Sequence, residues 1–358
     1  MTELWTSAWN ATASEIEPQA EQAEAAGFDG MVITDSQNLW LECWVALAVA
    51  AKATSRLKLG TGVTNPVTRH PAVTADAALS LQEVSQGRFV LGIGRGDSSL
   101  AYIGYGPAPL ARFATYLRRL QAYLRGEEVS FDPEEDAGLP GLDSLGYARV
   151  PASSRIRWLP GTQPKVGVDV AGSGPKVIRM AAELADGVTF GVGADTGRLA
   201  GLLDYVRAVR DDAGLGHEPF TRTARLTVVP HPDRDVARRL AAGGVAMSSR
   251  WSVMQAGPEM IGVDSATRTS FEAARDSYDM TRHGETWTSH AAAVSDDLVD
   301  RFGIAGPPDY CVERLLQVQR LGFDRVVFNT RIRGASPAEQ EVTTRLLLGE
   351  VLPNLKAT

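Results

Sequence analysis

The 358-residue sequence contains only two cysteines, Cys43 and Cys311, far apart and in no CxxC or Cys/His spacing. Such a pair builds neither a disulfide scaffold nor a structural zinc cluster, and it fits a reducing cytoplasm. Basic residues are outnumbered, 36 against 43, for a net charge of −7 with histidines neutral. No basic face follows from that balance, so nucleic acid and anionic membrane are not expected as partners. A long apolar run is missing too. The most apolar one, from Leu39 to Ala51, is short and interrupted by Glu42, and no basic segment leads into an apolar stretch at the N-terminus. Secretion and membrane spanning are therefore not expected. There is no GxSxG elbow, and Ser36 with the histidines at 70, 283 and 290 makes no recognisable triad, which argues against nucleophilic hydrolysis. Nor is there an HExxH or a compact carboxylate cluster, so no catalytic metal is implied.

What is present is the composition of a globular chain with a full core: 44% hydrophobic and 22% charged residues. Short β-branched runs recur as LWTSAW (4–9), GMVITD (30–35), LKLGTGVT (57–64), FVLGIG (89–94), KVGVDV (165–170), GVTFGV (187–192), RLTVVP (225–230) and RVVFNT (325–330). Most are separated by stretches with helical spacing of apolar residues, such as WVALAVAAKAT and YCVERLLQVQRLG. Several runs are apolar almost throughout, as a parallel sheet covered on both faces requires. Eight such units predict an α/β fold of the closed (β/α)8 TIM barrel type, with an open doubly wound sheet as the alternative. The length suits one barrel domain over 1–358 carrying insertions at about 126–164 and 244–306, both longer than a simple connection needs.

Three strand ends carry candidate chemistry. GIGRGDSS (92–99) departs from GxGxxG because Asp97 stands where the third glycine belongs, so a dinucleotide fingerprint is not supported. Its small residues, Gly94 and Gly96 among them, would let a flat ring approach the backbone, while Asp97 would either point into a site or cap the next helix. VAGSGPK (170–176) leaves a strand and enters a helix at Pro175, presenting the backbone N–H groups of Gly172, Ser173 and Gly174 as a phosphate site or simply a tight turn. LGTGVTNPVTRHP (59–71) is primed for a bulge at Gly62-Val63. His70 in that segment reads more readily as a structural partner than as a base. Asp35 and Trp40, at the end of the second strand, could bind substrate or anchor a loop.

With GFDGMVITD, LGTGVTNPVTRHP, GRFVLGIGRGD, VAGSGPKVIRMAAELADGV and GPPDYCVERLLQVQRLGFDRVVF in this order, the chain resembles the luciferase-like superfamily of flavin and deazaflavin oxidoreductases. Within it, the chain is most similar to the branch using coenzyme F420, especially the methylenetetrahydromethanopterin reductase-like proteins. The resemblance implies a barrel, often dimeric, that binds its cofactor at the C-terminal ends of the strands. It implies a non-prolyl cis peptide at Gly62-Val63 behind the ring, Asp97 as a proton relay beside it, and Gly172, Ser173 and Gly174 around the phosphate tail. The cofactor contacts expected are thus Asp35, Gly62, Val63, Thr64, Gly94, Gly96, Ala171, Gly172, Ser173 and Gly174, and the substrate pocket Trp9, Ser36, Trp40, Trp251, His283 and Trp287. Sugar-phosphate dehydrogenases of the superfamily have His where this chain has Ser36. A serine without an activating partner is a poor base, which favours reduction of a C=C or C=N acceptor over alcohol oxidation. The resulting expectation is a cytoplasmic homodimer moving a hydride between coenzyme F420 and a small-molecule substrate. The alternatives are an FMN-dependent monooxygenase and a non-catalytic binding barrel.

Overall fold

A computed structural model describes residues 2–8, 12–131, 140–159, 164–254 and 260–357. Eight parallel strands form its centre: β1 (Glu3–Ala8), β2 (Gly30–Ile33), β3 (Lys58–Thr61), β4 (Phe89–Ile93), β5 (Gly167–Gly172), β6 (Gly187–Phe190), β7 (Thr221–Pro230) and β8 (Arg325–Asn329). Each pairs in parallel with its sequence neighbours, and β8 pairs with both β7 and β1, so the sheet closes into a (β/α)8 barrel. Closure leaves no free edge and buries both faces, the reason strands such as β2 (GMVI) and β4 (FVLGI) are apolar throughout.

Helices α1 (Ala13–Ala26), α2 (Cys43–Ala53), α3 (Pro71–Val84), α4 (Leu110–Leu124), α5 (Pro175–Leu184) and α6 (Thr196–Asp212) follow β1 to β6 in turn. Their apolar faces join the strands' outward residues in one core that includes Ile16, Leu47, Leu79, Leu117, Ile178 and Leu203. The barrel interior has a different character. Trp5 lies there with no exposed surface, against Val32 and Val327. Gly30 makes room for it, since a Cβ there would fall 2.3 Å from the indole. Asp169 is buried nearby, accepting from Thr189 Oγ1 at 2.7 Å and facing Arg325 Nη1 at 3.5 Å. Burial raises its carboxyl above the usual range, with Arg325 and the two hydroxyls of Thr189 and Thr223 opposing.

After β7 comes the long helix α7 (Arg234–Val253), then α8 (Ser265–Asp276), and a short strand, Ile304–Gly306, that pairs with the C-terminal end of β7. Gly244, expected to open the second insertion, instead lies inside α7. A Cβ on Gly243 would meet the carbonyl oxygen of Gly284 at 2.6 Å, and one on Gly244 would meet Thr227 Oγ1 at 2.6 Å. The two glycines let α7 press against β7 on one side and the 284–285 segment on the other. Helix α9 (Pro308–Arg320) then leads to β8, and α10 (Pro337–Leu346) follows it. Within the described part of the first insertion, Val129–Ser130 and Ser153–Ser154 form a two-stranded antiparallel ribbon. Among the described residues no helix is long and apolar enough to cross a membrane.

Candidate active site

The C-terminal ends of the strands open into one cavity of about 750 Å³. Its first wall is the end of β3. The Gly62–Val63 peptide is cis, and the chain rejoins β4 beyond the bulge through Thr64, whose N–H donates to Gly92 O at 3.0 Å. Asp35 secures this wall from the side. Its Oδ2 accepts from Thr64 Oγ1 at 2.6 Å and from Arg69 Nη1 at 3.0 Å, and its Oδ1 from Gln37 Nε2 at 2.6 Å. Arg69 also pairs with Glu42, whose carboxylate caps the N-terminus of α2. Asp35 therefore lines the cavity while its oxygens are engaged in holding β2, the bulge and the helix together. His70 caps α3, accepting from Ala72 N at 3.2 Å.

The second wall is the loop from β5 into α5. Ala171, Gly172, Ser173 and Gly174 all line the cavity. The backbone N–H groups of Ser173, Gly174 and Lys176 donate to no protein acceptor among the described residues, whereas Val177 N turns back to Gly174 O. Three unmatched donors at a helix N-terminus, with the exposed Lys176 ammonium beside them, form an anion cradle. A Cβ on Gly174 would meet nothing within 4 Å, so the space in front of the loop is open. Ser173 Oγ donates to Trp251 O at 2.9 Å and ties the loop to the end of α7.

The third wall comes from α7 and the segment after it. Asp97, expected as a proton relay or helix cap, makes no capping bond with its side chain. Instead its carboxylate takes the Arg250 guanidinium as a fork, Nη1 to Oδ1 at 3.1 Å and Nη2 to Oδ2, and accepts Trp251 Nε1 at 2.8 Å. Gly96, at φ +77°, turns the chain so that this can happen. Trp251 packs just beyond the end of β6, where a Cβ on Gly191 would stand 3.2 Å from its ring. Arg250 stacks 4.4 Å over Tyr278, and the Tyr278 hydroxyl lies 2.8 Å from His283 Nδ1. Tyr278 also stacks on the buried His290 at 4.1 Å. Burial pushes the Tyr278 phenol up to about 12. Burial first, then the Arg250 charge, pushes His283 well down, so the imidazole is neutral. Tyr278 Oη also accepts from Gly284 N at 3.1 Å.

Most of the expected positions meet in this one cavity: Asp35, Ser36, Trp40, Gly62, Val63, Gly94, Gly96, Asp97, the 171–174 loop, Trp251 and His283. Thr64 stands behind the wall. Trp287 is elsewhere: it is 54% exposed, donates to Gly334 O at 3.0 Å and lies under Arg239. A flat indole backed by a cation and a loop carbonyl has its own packing reason, with no share in the cavity. Trp9 lies outside the described residues. Sequence reasoning missed Arg225, Arg250, Tyr278 and Arg333, all facing the cavity or directly supporting it. The one available signal was Arg225, a charge inside the apolar run of β7.

The family model described as luciferase-like monooxygenase matches residues 3–325. The 5,10-methylenetetrahydromethanopterin reductase of Archaeoglobus fulgidus is 29% identical over 344 residues, covering 96% of each chain. Among solved structures, a coenzyme F420-dependent tetrahydromethanopterin reductase from Methanopyrus kandleri superposes with a TM-score of 0.72 at 20% identity, over 99% of each chain. A monooxygenase from Streptomyces bottropensis does so with a TM-score of 0.65 at 18% identity, covering 98% of this chain and 99% of that one.

Proposed function

The chain belongs to the luciferase-like monooxygenase family, and from that premise we propose that it is an oxidoreductase moving a hydride between coenzyme F420 and a small organic substrate, with a C=C or C=N acceptor being reduced. The observation that carries this reading is the pairing, within one cavity, of a glycine-lined wall at the cis Gly62–Val63 bulge with an anion cradle at Ser173, Gly174 and Lys176. Those two features fit a flat ring joined to a phosphate tail. Gly62, Val63 and Gly94 would face the ring, and Gly172 to Gly174 would hold the phosphate. When bound, the deazaflavin supplies the hydride chemistry, and the protein supplies position and electrostatics.

The protein's own contributions follow from the contacts. Asp35, Thr64 and Arg69 keep the bulge in place. The fork of Arg250 on Asp97, with Trp251 against Gly191, fastens α7 over the cavity and narrows its access to water. A carboxylate receiving three N–H bonds is in its acceptor form, which supports Asp97 as an anchor rather than the proton carrier. With the Tyr278 hydroxyl donating to His283 Nδ1, Nε2 of His283 holds the proton that a substrate heteroatom can accept. Ser36, at the rim, is without the histidine that alcohol oxidation would use. The chain acts on a small molecule and is placed in the cytoplasm, a reading supported by the two free, buried thiols of Cys43 and Cys311. It is read as one barrel domain that forms a homodimer without nucleic acid, supported by the exposed apolar side chains Leu145, Tyr147 and Trp158 on the first insertion and by the net charge of −7.

The test is titration of the purified protein with oxidised coenzyme F420 and separately with FMN, followed by fluorescence. Saturable binding of the deazaflavin, then oxidation of its reduced form by imine or unsaturated acceptors, is the expected result. Binding of FMN alone, with oxygen consumed once a flavin reductase is added, would replace this reading with the monooxygenase one.

A further inference from the structure

We propose that Arg225 is a built-in counter-cation for the reduced ring, holding the negative charge that hydride addition leaves on the cofactor and thereby setting its reduction potential. This inference rests on the cofactor reading above.

Arg225 projects from β7 into the barrel and borders both the main cavity and a small void of about 20 Å³ beneath it. Its Nη1 donates to Gly62 O at 3.0 Å, the carbonyl of the cis peptide, and its Nε donates to Asn329 Oδ1 at 2.9 Å. Its Nη2 donates to no protein acceptor among the described residues. Four guanidiniums around this cavity and the barrel interior have carboxylates: Arg69 has Asp35, Arg250 has Asp97, Arg325 has Asp169 and Arg333 has Glu285, while Arg95 on the cavity wall donates its Nε to Ala108 O at 2.6 Å. Arg225 forms no ion pair among the described residues. Burial lowers its proton affinity to about 10, which leaves it charged at neutral pH.

A buried cation without a counter-charge is unfavourable, and an arginine keeps its charge under such conditions where other groups neutralise. The guanidinium behind the bulge therefore has room for a negative partner. Hydride transfer supplies that charge. A hydride carries two electrons and one proton, so the C–H bond formed on an oxidised ring leaves the ring one unit more negative until a second proton follows. In the reverse direction, the ring's C–H bond breaks, the pair forms a C–H bond on the acceptor, and the acceptor takes up the charge and then a proton. A fixed cation against the bulge that would face the ring favours the reduced form, one unit more negative, over the oxidised one. Because Nη1 also holds Gly62 O, the same side chain orients the bulge, and the test must separate charge from support.

Dissociation constants of oxidised and of chemically reduced coenzyme F420 are measured anaerobically for the wild type and for Arg225→Gln, Arg225→Lys and Asn329→Asp. Glutamine keeps a donor for Gly62 O without the charge, and lysine keeps the charge. The aspartate adds a carboxylate beside an intact Arg225. The expected result is that the preference for the reduced form falls at least about tenfold in Arg225→Gln and Asn329→Asp, equivalent to roughly 30 mV for a two-electron couple, and stays within about threefold in Arg225→Lys. Equal weakening of both redox forms in Arg225→Gln, with the ratio unmoved in Asn329→Asp, would overturn the proposal and leave Arg225 as a prop for the bulge. Failure of the wild type to bind either form would instead sink the cofactor reading beneath it.

Discussion

Asparagine at position 97 keeps the shape of the carboxylate and removes its charge, which isolates what Asp97 does for Arg250. Arg250 is only 5% exposed and its partner 21%, so the pair stands between a buried and a surface salt bridge. Losing one member should cost about 2–3 kcal/mol in Asp97→Asn by denaturant midpoint, between the limits known for the two extremes. An Asp97→Ala, Arg250→Met pair should recover part of that loss, because no unpaired guanidinium remains. Unchanged stability with slowed hydride transfer would return Asp97 to the role of proton carrier. His283 is tested through its neighbour. Tyr278→Phe keeps the stack on His290 and removes the hydroxyl 2.8 Å from His283 Nδ1. Turnover should drop roughly tenfold, the lower end for loss of a group that orients a reacting residue, with cofactor affinity unchanged. Equal loss of affinity would mean that Tyr278 shapes the cavity and leaves the tautomer alone.

At the scale of the element, the loop from β5 into α5 makes a separable prediction. Gly174 has φ −106°, open to any residue, and a Cβ there meets nothing within 4 Å. Gly174→Leu should therefore cost no more than about 1 kcal/mol of stability through the altered helix cap, while binding of either phosphate-bearing cofactor weakens at least tenfold. A variant that binds normally would remove this loop from the site. This loop was readable from sequence because its chemistry is local: a strand end, two glycines and a proline at the first helical turn. The eight barrel strands were readable for a similar reason, since burial on both faces forces runs such as GMVI and FVLGI to be apolar throughout. What local pattern could not carry was pairing at a distance. Asp97 meets Arg250 across 153 residues, and nothing in either neighbourhood announces the partner. Gly244 likewise reads as a helix break until Thr227 is seen packed against it.

On the scale of the whole molecule, the segment after α7 couples the cavity to the protein's response to acid. His283 and His290 are both shifted down in the folded state, chiefly by burial, with Arg250 adding repulsion at each. In the unfolded chain both titrate near the ordinary value of about 6.5. The unfolded state therefore binds protons first as pH falls, and stability declines with acidification. The contribution is complete above that value and is lost progressively below it, up to about 1 kcal/mol per histidine between pH 7 and 5.5. The thermal midpoint should stay level from pH 7 to 8 and decline from about pH 6.5 downward. Replacing His283 with asparagine, which has no such titration, should flatten that decline by about half. Because Tyr278 stacks on His290 and contacts both His283 and Arg250, acid should loosen the cover of the cavity before it unfolds the barrel. Hydrogen exchange at pH 5.5 is then expected to rise in residues 278–290 while the amides of β1 to β4 stay protected. A uniform rise across the barrel would place the acid-sensitive step in the core and detach it from the site.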